Sequence, residues 1–321
     1  MATKSSANGA DPEYREESFV QLVDGVYALT SDSEPNVGAV EAEDFLVCFE
    51  ARSTPAAARR WLLRLRERTA KPVRYLVLSH FHAVRTLGAS AFDADVVIAH
   101  ERTRTLIAER GRQDWAGELA RTPEAFPEAE GIPGLTWPTL TFSHRLTIPL
   151  GGERGDLELR HPGRGHTAGD VVGWLPQQRI LFAGDLVESR AAPHCGDAFH
   201  DEWATSTLDN VEALGAELLI GGCGPVARNR AEVDAAIAQS RHFLDELRRT
   251  VTDVRDRAGT PAEAYRAAHD ALAPRFRDRP SFDTLPLAVR RCWDECDGVT
   301  WPRIWTAQRE SEVREALAPS R

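Results

Sequence analysis

A chain of 321 residues with 42% hydrophobic residues has room for one large domain or two smaller ones, each with a sizeable core. Its formal net charge of -10 disfavours a nucleic-acid partner, and five scattered cysteines do not make a disulfide framework. No apolar run reaches the roughly 18 residues of a membrane span, and the polar stretch Met1 to Glu17 has no apolar leader core, so a soluble, cytoplasmic protein with a flexible N-terminus over residues 1–17 is expected.

In chain order, Phe19 to Thr30 alternates in places and contains Asp24-Gly25, a hairpin signal. Val37 to Phe49 supplies one or two further strands. Thr54 as N-cap and Pro55 at the first helical position open a helix whose buried stripe is Ala58, Trp61, Leu62 and Leu65. The apolar run Val73 to Leu78 reads as a buried strand, and Asp95 to Ala99 as another. Arg102 to Leu119 reads as a helix. Pro123 to Pro138, rich in Pro and Gly, reads as a loop able to cover a site. Strands are expected over Thr139 to Pro149, Leu157 to His161, Asp170 to Trp174 and Arg179 to Phe182, with Gly151-Gly152 as a hairpin turn. Trp203 to Leu214 reads as a helix and Glu217 to Ile220 as a last short strand. From about Asn229 only helices are expected: Ala231 to Arg257, Pro261 to Ala273, Pro286 to Glu295 and Ala307 to Ala318. Strands followed by helices, twice over, suit two sheets between helical layers.

Three stretches carry chemistry. His80 and His82 follow the Val73 to Leu78 strand, whose end can aim both imidazoles at one point. Gly165-His166-Thr167-Ala168-Gly169-Asp170 and Ala183-Gly184-Asp185 come later, each near an apolar run. A zinc or iron ion wants neutral imidazoles and carboxylates with one position open. The glycines of the His166 turn allow backbone conformations that bring that ring close without a Cβ clash. Asp170 either braces this turn or orients a ligand. His100, His144 and His161 are expected to be packed or surface histidines, and Cys292 and Cys296 to pack. No Gly-x-Ser-x-Gly elbow and no Gly-rich phosphate loop occurs.

Together these stretches resemble the metallo-β-lactamase superfamily over about residues 18–228, leaving 229–321 as a C-terminal helical extension. The resemblance implies an α/β fold, the αβ/βα metallo-β-lactamase sandwich. It implies that His80, His82 and His166 hold a metal and that Asp185 is the carboxylate between two metals. The family loop is His-x-His-x-Asp-His, but here Val84 and Arg85 stand at its last two positions. Gly222-Cys223-Gly224 stands where the family has Gly-His-Gly. Valine binds no metal and guanidinium cannot ligate. Cys223 is either a soft-metal thiolate or a buried neutral thiol. The expectation is therefore one divalent ion, zinc with iron as the alternative, with Asp185 as ligand or near neighbour.

Asp185 and Arg85 are the candidate catalytic side chains. Arg85 either stands in for the missing cation and holds an anionic substrate, or forms a salt bridge to Asp185 or Glu188. The segment with His194, Cys195, Asp197 and His200 is expected to line the substrate mouth. The expected activity is hydrolysis of a small ester, thioester or lactone. The alternatives are an iron oxygenase of the persulfide dioxygenase kind and a non-catalytic, ligand-binding descendant. The expected partners are a small-molecule substrate and a second copy docked through the C-terminal helices, with no nucleic acid and no membrane.

Overall fold

The computed structural model describes residues 17–32 and 34–317, so apart from Glu17 the flexible stretch expected over residues 1–17 lies outside the described residues. Seven strands form the first sheet in the order β1 to β7: β1 Glu17–Val23, β2 Val26–Ser31, β3 Val37–Glu41, β4 Leu46–Phe49, β5 Val73–Val77, β6 Val96–His100 and β7 Leu140–Phe142. The first four run antiparallel; β4 to β7 are parallel. The second sheet has the order β12-β11-β10-β9-β8, from β8 Arg145–Pro149, β9 Asp156–Arg160, β10 Val172–Leu175, β11 Ile180–Gly184 and β12 Leu218–Gly221. Only β11 and β12 pair in parallel there.

The single strand stretch expected over Thr139 to Pro149 is two strands in two sheets. The chain turns at Ser143-His144 and crosses from the first sheet to the second. The alternation of Leu and Thr on both sides hides that break, because the turn itself carries no Gly or Pro.

The helices are α1 Pro55–Arg66, α2 Ala83–Thr86, α3 Glu101–Arg121, α4 His200–Glu202, α5 Leu208–Glu212, α6 Arg230–Asp256, α7 Pro261–Phe276, α8 Leu285–Cys296 and α9 Ala307–Leu317. Thr54 caps α1 through its hydroxyl, which accepts from the Ala57 N–H at 3.1 Å. Between α4 and α5 the backbone widens to a π-helical turn, Trp203–Thr207, a local irregularity that single-residue propensity does not signal.

Three apolar layers result. Between the sheets, Val47, Phe49, Val77 and Ile98 meet Leu157, Leu159, Ile180 and Phe182. Outside the first sheet, Ala58, Trp61 and Leu65 of α1 cover Leu46, Leu76 and Ala99. Outside the second sheet, Trp174, Leu181 and Ala183 share one continuous core with Phe243, Leu247, Val251, Leu272, Phe276 and Val289 of the C-terminal helices. The change of texture near Asn229 is thus a change from strands to helices within one packed body. The apolar stripe of α6 is spent inside the chain.

A chain ending at residue 228 would expose the outer face of the second sheet and is expected to aggregate. Leu247, fully buried in that shared layer, gives a finer measure. Leu247→Ala is expected to cost about 2–5 kcal/mol in denaturant unfolding. A monomeric, well-behaved truncation, or a change below about 1 kcal/mol, would show that the tail only decorates the surface.

Candidate metal centre

The site forms where the chain leaves the strands. The segment after β5 delivers His80 and His82, and the loop before β10 delivers His166. Asp185 follows β11, and Gly222-Cys223 follows β12. Loops leaving strand ends outside a sheet are where backbone is free to turn side chains onto a common point.

His166 Nε2 lies 3.2 Å from His80 Nε2 and 2.9 Å from His82 Nδ1. These three nitrogens form the one group of potential metal-ligand atoms found among the described residues. Nitrogens about 2.0–2.1 Å from one tetrahedral ion stand about 3.3 Å apart, so the spacing fits zinc or a similar cation. Asp185 Oδ2 is 3.6 Å from His80 Nε2 and 3.5 Å from His166 Nε2, near enough to complete the set.

The far side of each ring is held as well. His80 Nδ1 is 2.7 Å from Ser79 Oγ, and His166 Nδ1 donates to the His194 carbonyl at 2.8 Å. His82 Nε2 faces Asp197 Oδ2 at 3.4 Å and Asp114 Oδ1 at 3.9 Å. Such outer partners fix tautomer and ring direction. Burial, with the neighbouring imidazoles, holds His80 and His166 neutral, His166 at about 4. For His82, burial pulls downward, but Asp114 and Asp197 outweigh it and raise the ring to about 9.

Arg85 stands beside this triad. Its side chain is buried and ion-paired to Asp185 Oδ1. It also donates to the Gly222 carbonyl at 3.0 Å and to the Asn36 carbonyl at 3.4 Å. Of the two readings open for Arg85, the salt bridge to Asp185 is the contact made. Glu188 completes the group: one carboxylate oxygen accepts from the Cys223 N–H at 2.8 Å. Burial and the nearby Asp185 push the Glu188 carboxyl well above its usual range. A Cβ at Gly222 would run into the Asp185 and Glu188 carboxylates and would have to displace the ends of both side chains. Burial beside Glu188 likewise pushes the Cys223 thiol well above its usual value, which favours the neutral thiol.

Of the expected reasons for the glycines of the His166 turn, avoidance of a Cβ clash is the one the structure bears out, not a special backbone conformation. Neither Gly165 nor Gly169 has a positive φ. A Cβ on Gly169 would come 2.6 Å from Thr103 N and Oγ1, so it is close packing against α3 that excludes a side chain. Asp170 braces the turn, accepting from Thr167 N at 2.9 Å and Thr167 Oγ1 at 2.7 Å.

The expected substrate-mouth cluster splits. His194 lines the cavity beside the triad. Asp197 lies behind His82. Cys195 is fully buried with its thiol on the Pro193 carbonyl, and His200 is turned into the tail, Nδ1 on Glu295 Oε2 at 2.8 Å. Cys195 and His200 therefore do not line the mouth, because the C-terminal helices draw this loop inward. His100 and His161 pack, bonded to the carbonyls of Ser143 and Asp170. Trp203, fully buried, sets its ring 5.8 Å from that of His166.

The cavity over the triad has a volume of about 360 Å³. One wall is Arg121, Thr122 and Glu124 at the end of α3 and the start of the expected covering loop. Another part of the lining, Ser281, Asp283 and Thr284, comes from the C-terminal extension, in which the sequence offered no site residue. Asp114, Arg110 and Asn36 were also missed. Each is a single residue far along the chain, with no motif around it.

Residues 33–222 match the family model of the metallo-beta-lactamase superfamily, and the chain belongs to that superfamily. Among curated proteins it is 29% identical over 162 residues to the metallo-beta-lactamase type 2 of Bacillus sp. (strain 170), covering 49% of this chain and 53% of that one. It is also 29% identical over 152 residues to the 2,4-dinitroanisole O-demethylase subunit alpha of Nocardioides sp. (strain JS1661), covering 46% and 40%. The chain thus spans about half the length of the curated relatives it matches. Among solved structures, a metallo-beta-lactamase from Pontibacter korlensis superposes with TM-score 0.56 at 22% identity, over 72% of this chain and 99% of that one. The sec-alkylsulfatase Pisa1 from Pseudomonas sp. superposes with TM-score 0.67 at 16% identity, over 87% of this chain and 50% of that one. At these identities the structural likeness establishes the fold. No helix among the described residues is long and apolar enough to cross a membrane.

With His82 raised to about 9, the metal-free site holds a proton there at neutral pH, and a metal has to displace it. Apparent metal affinity is expected to rise about tenfold per pH unit up to about pH 9, because the protonated ring binds no metal. Asp197→Asn removes one acceptor, lowers the His82 value and flattens that slope. Calorimetric titration with zinc in two buffers of different ionisation enthalpy would read the proton released. Equal release from the wild type and Asp197→Asn would contradict the assignment.

Proposed function

We propose that this chain is a metal-dependent hydrolase working with one divalent ion, zinc in preference to iron, on a small ester, thioester or lactone. The observation that carries the reading is the convergence of the His80, His82 and His166 nitrogens under a cavity of about 360 Å³. An ion held there would supply Lewis acidity, polarising an acyl oxygen and acidifying a water. The remaining work falls to the chain. Asp185 Oδ2, beside two of the ring nitrogens, is placed to take a proton from a water at the triad. Arg85 grips the other oxygen and keeps that carboxylate aimed. Val84, on the cavity wall, offers neither ligand nor proton acceptor.

Arg85 also supports the single ion. Its guanidinium takes the Asp185 oxygen that a second cation would need, and its own charge repels one. The anionic substrate expected from Arg85 is not retained. Arg85 is spent on Asp185, and Arg121 on Glu118 and Glu310, so both arginines among the described residues of the cavity wall are ion-paired. An acyl group without a carboxylate next to the reacting carbon suits this lining better. Hydrolysis as the reaction class is supported by the relatives named as β-lactamases.

Metal analysis of protein purified without added metal tests the reading. About one zinc per chain, with turnover on a panel of aryl esters, thioesters and lactones lost in His166→Ala, is the expected result. About one iron would favour the oxygenase alternative, and no metal the non-catalytic one. Arg85→Met leaves Asp185 without its cation, so it is expected to cost about 3–5 kcal/mol of stability, as for breaking a buried pair. An Arg85→Met protein with unchanged melting temperature and two bound ions would overturn the structural part of the argument.

A further inference from the structure

Two of the three imidazoles are held from behind by one short loop. The His194 carbonyl accepts from His166 Nδ1, and Asp197 faces His82 Nε2. The loop lies outside any helix or strand. Within itself it has a turn, with Ala198 N donating to the Cys195 carbonyl at 3.3 Å. Outside itself the loop is tied both to the sheet-bearing part of the chain, through His82, His166, Arg110 and Gly165, and to the C-terminal extension.

Trp305 Nε1 donates to the Gly196 carbonyl at 2.8 Å, and Arg291 Nε donates to the Ala198 carbonyl at 2.7 Å. These carbonyls sit on either side of Asp197. At Gly196 the approach is so close that a Cβ would stand 3.0 Å from Trp305 Nε1 and 3.2 Å from His194 Nε2. Trp305 is itself clamped, with the Arg309 guanidinium 3.9 Å from its ring centre. A second indole acts from the other side. Trp301 lies 5.9 Å from the buried Arg110 guanidinium, and its Nε1 donates to Glu109 Oε1 at 3.4 Å. Arg110 in turn donates to Asp197 Oδ1 at 2.7 Å and to Glu109 Oε1 at 3.0 Å. Trp301 and Trp305 belong to one irregular segment between α8 and α9, and both converge on Asp197.

We propose that this Trp301–Trp305 segment is a positioning element of the metal centre, with Trp305 its principal residue. It fixes the loop that aims His82 and His166, so the C-terminal extension sets how tightly the site holds its ion. The proposal rests on the reading of the triad as a metal site. It assigns a role in the centre to residues that lie outside the region matched by the family model.

Trp305→Phe keeps an aromatic ring under Arg309, removes the N–H that holds Gly196 and shortens the side chain by the pyrrole ring. Zinc affinity by chelator competition is expected to fall about tenfold or more, the range for losing an outer partner of a metal ligand. The visible absorption of the cobalt-loaded protein is expected to shift, since the ring directions change. Trp137→Phe, at a ring 47% exposed and outside this network, is expected to change neither. Should Trp305→Phe fold poorly, Gly196→Ala displaces the same contact without removing a donor and is expected to weaken zinc binding in the same direction. Zinc affinity within twofold of wild type and an unshifted cobalt spectrum, even with a lowered melting temperature, would reduce Trp305 to a packing role and overturn the proposal. A wild-type chain that binds no zinc or cobalt would instead remove the metal reading and the proposal with it.

Discussion

The Arg85–Asp185 ion pair is the constraint around which the site is arranged. Holding a buried guanidinium against a carboxylate costs less the more of its remaining hydrogen-bonding capacity is met. Here the Gly222 and Asn36 carbonyls accept from the two terminal nitrogens of Arg85, while its buried Nε is left without a partner. The Gly222 carbonyl also accepts from Asn36 N at 2.8 Å, so the turn after β12 is shaped by the same group. Asn36 reaches the same turn through its side chain, donating to the Gly221 and Gly224 carbonyls at 3.0 and 2.9 Å. Four separated stretches of chain are therefore locked to one charge pair. The Asp185 oxygen nearest the imidazoles stays at a fixed place as a consequence.

The same pair settles the local charge. Below Arg85 lies Glu50, whose carboxyl burial pushes up to about 8 despite the nearby guanidinium. Glu188 is pushed up as well, by burial and then by Asp185. Buried acids crowded near one cation cannot all ionise, since each further negative charge in a poorly hydrated site costs several kcal/mol. Asp185 is the carboxylate in direct contact with Arg85, and the Glu50 and Glu188 carboxyls are the ones pushed up. The pocket thus limits its own negative charge, which weakens its pull on a second cation without any change in the three histidines.

Much of the fold and the heart of the site were legible in the sequence because their signals are local. His80 and His82 share one short stretch, His166 sits in a Gly-bounded turn, and Asp185 follows a glycine at a strand end. Thr54-Pro55 marked α1 for the same reason. The break between β7 and β8 was hidden because the pattern of apolar residues continues through a turn with no Gly or Pro. Cys195 and His200 were drawn into the expected mouth by their nearness in sequence to His194. Their directions are set instead by the C-terminal helices, through Glu295 for His200. Asp114 and Arg110 were invisible for the complementary reason: they lie on an ordinary helix face, and only tertiary packing brings them behind His82.

The C-terminal helices show how packing and chemistry share one element. Their apolar residues complete the layer outside the second sheet, which suffices to explain why α6 to α8 are present. Packing alone does not explain why polar groups from the tail are aimed at backbone carbonyls of the 193–200 loop. A buried carbonyl left without a donor costs about 1–3 kcal/mol, so an irregular loop pressed against the sheet needs donors from outside itself. Arg291 and Trp305 meet that need at Ala198 and Gly196. Satisfying those carbonyls also fixes the residue between them, Asp197, and with it the direction of His82. A loop that needed backbone donors for stability alone is thereby placed to support His82, a ligand of the proposed metal centre.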